Sequence, residues 1–209
     1  MKTVMSYLAK AESDQVHYVT GEPNITLPYG IAVDKHPSTK LGQYVEKVAR
    51  VDLGIITDTA DWNRFVLTRV NEALDEVVAY KLAVEFYEEY LRDAHLELFN
   101  EDCKITAMSL YVNSPKRYWK AVQRALLNLQ TSGRLNNELT LSAIDGSYGI
   151  KTKNGLIEAA STVPGMTLED NILLAMTLEY TELAAKNPDK YLKYLSGWLN
   201  RLNTLNKLK

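Results

Sequence analysis

Glu12 is the side chain whose surroundings in the sequence most favour acid chemistry. It follows a stretch in which apolar residues recur at helical spacing, namely Val4, Met5, Tyr7, Leu8 and Ala11. A helix over residues 1–11 would bring Glu12 to the end of the buried face, where a carboxyl group is partly desolvated. Desolvation raises the pKa of a carboxylic acid, so Glu12 could keep a proton near neutral pH and deliver it to a leaving oxygen. The alternative is an ordinary solvated glutamate, since the polar residues Ser13 and Asp14 follow it.

The order of residues from Glu12 onward resembles the N-terminal signature of glycoside hydrolase family 108. That signature reads roughly E-G-G-Y-V, then D-P-x-D-x-G-G, then T-x-Y/F-G-I. The matching residues here are Glu12, Tyr18, Val19, Thr26, Tyr29, Gly30 and Ile31. The departures are Ser13 and Asp14 in place of two glycines, Gly-Glu-Pro-Asn at 21–24 in place of the acidic glycine-rich loop, and the additional Pro28. Members of the family are N-acetylmuramidases, enzymes with lysozyme activity found among phage endolysins and export-associated murein hydrolases. The resemblance implies a peptidoglycan hydrolase whose catalytic acid is Glu12.

Other residues of this segment are candidates for the same site. The resemblance implies that Thr26 holds the attacking water on the opposite face of the sugar. Either Glu22 or Asp34 could act as a base or as an electrostatic stabiliser, although Asp34 also suits an ordinary turn. Tyr18 and Tyr29 are candidates for sugar stacking or hydrogen bonding, although a tyrosine beside Gly-Ile is also an ordinary packing residue. The separation of the two carboxyl groups would decide the stereochemistry, about 5–5.5 Å for retention and about 6.5–9.5 Å for inversion.

An aromatic cluster further along the chain is a second candidate for sugar binding. Phe86, Tyr87 and Tyr90 lie close to Glu88 and Glu89 and resemble the Y-x-x-Y-W/Y region of the family, which contributes to the wall of the sugar cleft. The resemblance thus makes Tyr87 and Tyr90 candidate substrate-binding residues. The alternative is that the aromatic side chains are core residues and the glutamates are solvated.

The second half of the chain resembles the predicted peptidoglycan domain that accompanies the family. Val112-Asn113-Ser114 is followed by a helical pattern at 121–130 and by the motif Asp145-Gly146-x-x-Gly149-x-x-Thr152. The glycines and the aspartate predict a tight turn that leads into a helix. On this resemblance Asn113 is a further candidate substrate-binding residue. The closing segment Tyr191 to Arg201 resembles the family's F-L-x-G-W-x-N-R, and its Gly197-Trp198 pair suggests a ring packed closely on a neighbouring backbone.

The composition excludes several functional classes. The formal net charge of −2 and the pI near 6.0 argue against binding to nucleic acid or to an anionic membrane surface. Cys103 is the single cysteine and the three histidines are widely separated, so the sequence predicts neither an intrachain disulfide nor a zinc site. We therefore expect no cofactor and no metal.

The sequence also predicts where the protein is made and acts. The N-terminus lacks the apolar core of a signal peptide, and no stretch approaches the length of a membrane span. We expect synthesis in the cytoplasm without a signal peptide. Action on the cell wall, in the periplasm, would follow release by phage or secretion machinery or carriage in a virion.

The helical patterns predict an all-α protein. They lie at 41–50, at 62–99 as one long helix or two joined ones, and at 102–111, 121–130, 167–187 and 190–205. A length of 209 residues fits one domain with or without a smaller appendage. The resemblance implies a lysozyme-like helical catalytic lobe at 1–100 with a packed C-terminal helical subdomain at 101–209.

Two other functions are compatible with these residues. The loss of the glycines at Ser13 and Asp14 favours a catalytically degenerate protein that binds the cell wall or forms part of a phage tail. An amidase or endopeptidase would need zinc or a Cys/His pair, and Cys103 lies in an amphipathic pattern without a neighbouring histidine.

Overall fold

The computed structural model describes residues 15, 17–18, 25–32, 36, 38–50, 60–136 and 138–207. About 80 % of the described part is helical, which confirms the predicted all-α class. The chain divides into two compact units, Met1–Tyr90 and Leu91–Lys209. The division lies before two short 3-10 helices, so these belong to the second unit. The boundary at residue 100 predicted from the sequence places them in the first unit. No helix among the described residues is long and apolar enough to cross a bilayer.

The first unit contains a small antiparallel sheet that the sequence did not predict. Its strands are β1 (His17–Tyr18), β2 (Ile25–Leu27) and β3 (Ile31–Ala32), in the order β1-β2-β3. Strands of two or three residues are too short to show the alternation that identifies a strand in a sequence. The chain reverses between β2 and β3 through the 3-10 turn Pro28–Gly30, where Tyr29 and Gly30 have φ angles of 65° and 80°.

Three α-helices follow the sheet in the first unit: α1 (Lys40–Ala49), α2 (Ala60–Ala73) and α3 (Glu76–Tyr90). Thr39 caps α1 by accepting a hydrogen bond from the Gly42 N–H at 3.0 Å. Asp75 separates α2 from α3, because its carboxylate accepts hydrogen bonds from the Val77 and Val78 N–H groups at 2.9 and 3.1 Å. The long helical pattern at 62–99 therefore contains two joined α-helices, which is one of the two arrangements predicted from the sequence.

The second unit begins with the 3-10 helices Leu91–Ala94 and Leu96–Leu98 and continues with five α-helices. These are α4 (Glu101–Asn113), α5 (Pro115–Thr131), α6 (Ile150–Thr162), α7 (Gly165–Lys186) and α8 (Pro188–Asn206), with a 3-10 turn at Leu141–Ala143. The contact between α5 and α7 is the most extensive in the described chain. Large side chains that are fully buried in this core include Met108, Leu110, Tyr118, Leu126, Leu129 and Leu156.

The turn before α6 confirms the prediction made from the Asp145-Gly146 motif. Gly146 has a φ of 80°, and its N–H donates to the side-chain oxygen of Gln123 at 3.0 Å. The Gln123 amide donates in turn to Asp145 Oδ1 at 3.0 Å and to the Ser147 carbonyl at 2.9 Å. The hydrogen bonds from Gln123 and from the Ser147 N–H lower the pKa of the Asp145 carboxyl. The motif is thus a structural turn that hydrogen bonds with Gln123 hold against α5.

Gly197 does not make the close approach that its pairing with Trp198 suggested. A Cβ atom built on Gly197 would meet no described atom within 4 Å. Trp198 instead stacks on Tyr180 and Tyr194, with ring centroids 4.9 and 6.0 Å apart. The interpretation of Gly197 as a packing glycine is therefore wrong for the described part of the chain.

Candidate functional site

The residues predicted to carry the acid chemistry divide between described and undescribed segments. Glu12, Glu22 and Asp34 lie outside the described residues. Thr26 lies in β2, paired with His17 on one side and Ala32 on the other, and Tyr18 pairs with Ile25. The small sheet therefore brings the Tyr18 and Thr26 backbones onto adjacent strands.

Tyr29 and Tyr87 are buried together at the junction between the sheet and α3. Their side chains are 6 % and 1 % exposed, and the Tyr87 hydroxyl donates a hydrogen bond to the Tyr29 carbonyl at 2.6 Å. The Tyr29 ring packs edge-to-face on Tyr80 with centroids 5.8 Å apart. In this arrangement both tyrosines are packing residues, which was the alternative to sugar binding that the sequence left open for each of them.

The first unit contains a pocket beside α3 with a volume of about 490 Å³. Four of its lining residues come from the segment that enters α1, and four come from one face of α3. The lining residues are His36, Ser38, Thr39, Lys40, Leu82, Glu85, Phe86 and Glu89. The pocket is thus built by the aromatic region of α3 that the sequence singled out.

Two residues that line this pocket, His36 and Phe86, are aromatic, and both contact Tyr90, which lies next to the lining on α3. Phe86 and Tyr90, four residues apart on α3, stack with centroids 5.5 Å apart and an interplanar angle of 14°. The His36 ring packs edge-on against both of them, at 4.9 and 5.3 Å. Desolvation raises the pKa of the Tyr90 phenol, which keeps its hydroxyl proton. An aromatic surface of this kind can pack against the apolar face of a sugar ring.

The pocket also carries charged side chains. Lys40 Nζ lies 2.9 Å from Glu85 Oε2. Their hydrogen bond lowers the pKa of the Glu85 carboxyl and raises the pKa of the Lys40 ammonium, and the charge of Glu89 adds to the effect on Lys40. A general acid needs a raised pKa, so Glu85 is suited to accept hydrogen bonds and not to donate a proton.

Three pocket residues were missed by sequence reasoning. His36 packs on Phe86 and Tyr90, which lie 50 or more positions further along the chain. Lys40 and Glu85 are separated by 45 residues, and a pair so distant leaves no local pattern. By contrast, Phe86, Tyr87 and Tyr90 lie close together in the sequence, and their resemblance to a family motif identified them.

Asn113 lies at the end of α4 in the second unit and is engaged within that unit. Its Oδ1 accepts a hydrogen bond from Arg201 Nη1 at 2.5 Å, and its Nδ2 donates to the Ser109 carbonyl at 2.6 Å. The bond from Arg201 joins α4 to the closing helix α8. These contacts give Asn113 a structural role whether or not it also binds substrate.

The described residues include no cluster of three metal-ligating side chains and no exposed thiol. No three His, Cys, Asp or Glu side chains among them are grouped so as to hold a metal ion. Cys103 is buried, and its thiol donates to the Gly165 carbonyl at 2.9 Å. A buried thiol in this setting is inert toward substrates.

Comparison of the chain with protein-family models, with curated proteins and with solved structures gives no match.

Proposed function

We propose that this protein is a peptidoglycan hydrolase, an N-acetylmuramidase that cleaves the bond between N-acetylmuramic acid and N-acetylglucosamine. One observation carries the proposal. The aromatic region of α3 that resembles the wall of the family's sugar cleft borders a pocket of about 490 Å³ lined by Phe86, Glu85 and Glu89. The order of Glu12, Thr26 and Tyr29-Gly30-Ile31 in the sequence supports the same activity.

The pocket chemistry suits a saccharide. The apolar face of a pyranose ring packs on Phe86, while its hydroxyl groups donate hydrogen bonds to the carboxylates of Glu85 and Glu89. The Lys40 ammonium can donate to carbonyl or carboxylate oxygens of the substrate. Orientation of the substrate by these groups is the contribution we assign to the pocket.

In the proposed reaction Glu12 is the general acid. It protonates the glycosidic oxygen as positive charge develops at C1 of the sugar. Thr26 holds the attacking water, and Glu22 or Asp34 acts as the base or stabilises the cation. Water supplies the hydroxyl group at C1, and the other sugar leaves with the proton from Glu12.

The test is digestion of purified peptidoglycan by the wild-type protein and by Glu12→Gln, with product ends identified by reduction and mass spectrometry. We expect muramic-acid reducing ends from the wild type and a loss of at least about a hundredfold in rate for the variant, the usual scale of general acid catalysis. Glu72→Gln is the matched control, because Glu72 is exposed on α2 of the same unit. Its rate should equal that of the wild type.

The competing function is binding to the cell wall without catalysis, as a degenerate enzyme or a phage tail component. Ser13 and Asp14 in place of the family's glycines favour it. If the sacculus stays intact after incubation with the wild type and the protein co-sediments with it, the protein binds the cell wall without hydrolysing it. If a chelator abolished digestion, the activity would instead be that of a metal-dependent amidase or endopeptidase.

A further inference from the structure

A second concave site lies in the C-terminal unit, between α5 and α7, with a volume of about 370 Å³. Each helix contributes one face at a spacing of three and four residues. The lining consists of Lys116, Arg117, Lys120 and Arg124 from α5 and of Glu179, Glu182, Leu183 and Lys186 from α7. Five basic and two acidic side chains give an excess of three positive charges, on a chain whose formal net charge is −2.

Both carboxylates of this lining bind the same arginine. Arg124 Nε lies 2.8 Å from Glu179 Oε1, and Arg124 Nη2 lies 3.1 Å from Glu182 Oε2. Glu179 is almost fully buried, so this pair forms part of the floor between the helices. The two acidic side chains are therefore not available to neutralise the lysines.

The three lysines remain without a carboxylate partner in the described chain. No described carboxylate oxygen lies within 4.0 Å of the Nζ atoms of Lys116, Lys120 or Lys186. Arg117 donates to the Ser114 hydroxyl at 3.0 Å, which is a neutral partner. Besides the hydrogen bond from Gln123, the charge of Lys116 lowers the pKa of the nearby Asp145 carboxyl, and the lining itself keeps its excess of positive charge.

The positions of the basic residues on α5 are electrostatically unfavourable. Lys116 and Arg117 lie in the first turn of α5, which contains no acidic residue. Positive charge near the N-terminus of a helix opposes the helix dipole. Lys116 and Lys120 also stand at positions i and i+4, where like charges repel. Positions that depart from two such local preferences are expected at functional sites.

We propose that this pocket binds a phosphate-bearing anion. Lysine ammonium groups are compact point charges with several donors, which suits the oxygens of a phosphate group carrying more than one negative charge. Arg124 is paired with the two glutamates, which leaves Lys116, Lys120, Lys186 and the guanidinium of Arg117 to bind the anion. The phosphate can come from a small diphosphate or from a phosphodiester polymer, and the two sources share this chemistry. This site is independent of the proposed glycosidase activity.

The test is isothermal titration of the full chain, in low-salt buffer free of phosphate, with inorganic pyrophosphate and separately with poly(glycerol phosphate). We expect saturable binding of at least one probe, and a Kd about tenfold higher in Lys120→Gln, since a hydrogen bond to a charged group is lost. Lys153→Gln makes the same charge change at an exposed position on α6 of the same unit and should leave the Kd within about twofold.

Each outcome of this titration decides the proposal. If pyrophosphate binds and its Kd rises in Lys120→Gln, the ligand of the pocket is a small diphosphate. If only the polymer binds and its Kd rises in the same variant, the ligand is a phosphodiester chain. Saturation by neither probe overturns the site. So does an equal loss in Lys120→Gln and Lys153→Gln, because that result would mean attraction to net charge only. Circular dichroism of both variants confirms that the helices are intact.

Discussion

The hydroxyl group of Tyr87 connects α3 to the turn between β2 and β3. It donates to the backbone carbonyl of Tyr29, whose φ of 65° lies in the left-handed region that side chains other than glycine seldom adopt. Such a conformation persists only where surrounding contacts hold it. The bond from Tyr87 and the ring of Tyr80 supply those contacts.

Tyr87→Phe should lower the free energy of unfolding by about 1–2 kcal/mol. The substitution keeps the ring in place and leaves the buried Tyr29 carbonyl without its donor. Urea denaturation followed by circular dichroism measures the change. Tyr80→Phe is the matched control on the same helix, because no hydrogen bond of its hydroxyl is found among the described residues, and it should change the value by less than about 0.5 kcal/mol. Equal effects of the two variants would contradict the role given to the Tyr87 hydroxyl.

The candidate site was predictable from the sequence only where its residues lie close together along the chain. Phe86, Tyr87 and Tyr90 were recognised because they lie within five residues and resemble a contiguous motif of the family. His36 and Lys40 were not, since their contacts with α3 depend on how the entering segment folds back onto it. The burial of Tyr87 was also invisible, because a helical pattern does not say which aromatic side chain of a cluster faces the core.

The helices themselves were predictable, and their ends were less so. The patterns at 102–111, 167–187 and 190–205 correspond to α4, α7 and α8, whose ends differ by at most two residues. The pattern at 121–130 covers only the later part of α5, because α5 begins at Pro115, a residue favoured in the first turn of a helix. The sheet was missed for the opposite reason, since its strands are held by pairing across the turn and not by a local pattern.

The turn before α6 gives a prediction for Gly146. A Cβ atom at this position would lie 2.7 Å from the Lys116 carbonyl oxygen, and the φ of 80° is unfavourable for alanine. Gly146→Ala should therefore destabilise the second unit by at least about 1 kcal/mol, measured by urea denaturation.

Gly197→Ala is the matched control for this prediction. Gly197 lies inside α8, and the methyl group of an alanine there would meet no described atom within 4 Å beyond its chain neighbours and the local backbone of α8, so the substitution should stabilise the helix by about 0.5–1 kcal/mol. Two substitutions of the same chemistry should thus have opposite signs. A neutral Gly146→Ala would mean that the turn can shift away from α5 at little free-energy cost.

The whole chain consists of two units, each with its own buried side chains. The sequence indicated a catalytic part followed by a helical part, and it suggested a boundary at residue 100. The structure divides the chain at Tyr90 and Leu91 instead. The reason lies in the segment before α4: Tyr118 on α5 donates its hydroxyl to the Ala94 carbonyl at 3.0 Å, and its ring lies 6.3 Å from that of Phe99. No local pattern reveals that a short segment belongs with a helix that follows it.

A fragment of residues 91–209 should fold by itself and unfold cooperatively in urea. A fragment of residues 101–209 should be less stable by at least about 2 kcal/mol, because it leaves the buried Tyr118 hydroxyl unsatisfied and removes the buried Phe99 side chain. The difference in the free energy of unfolding measures the effect. Equal stability of the two fragments would return the boundary to residue 100.

The 58 residues that separate Tyr29 from Tyr87 also fix an order of assembly during synthesis. The turn that contains Tyr29 leaves the ribosome before α3 does, so the Tyr87 hydroxyl cannot reach its carbonyl group until α3 has been synthesised. Closing a loop of that length carries an entropic cost that must be met before the bond can form. The segment that carries Thr26 is therefore completed late, and a chain that stops short of Tyr87 lacks the bond that holds it in place.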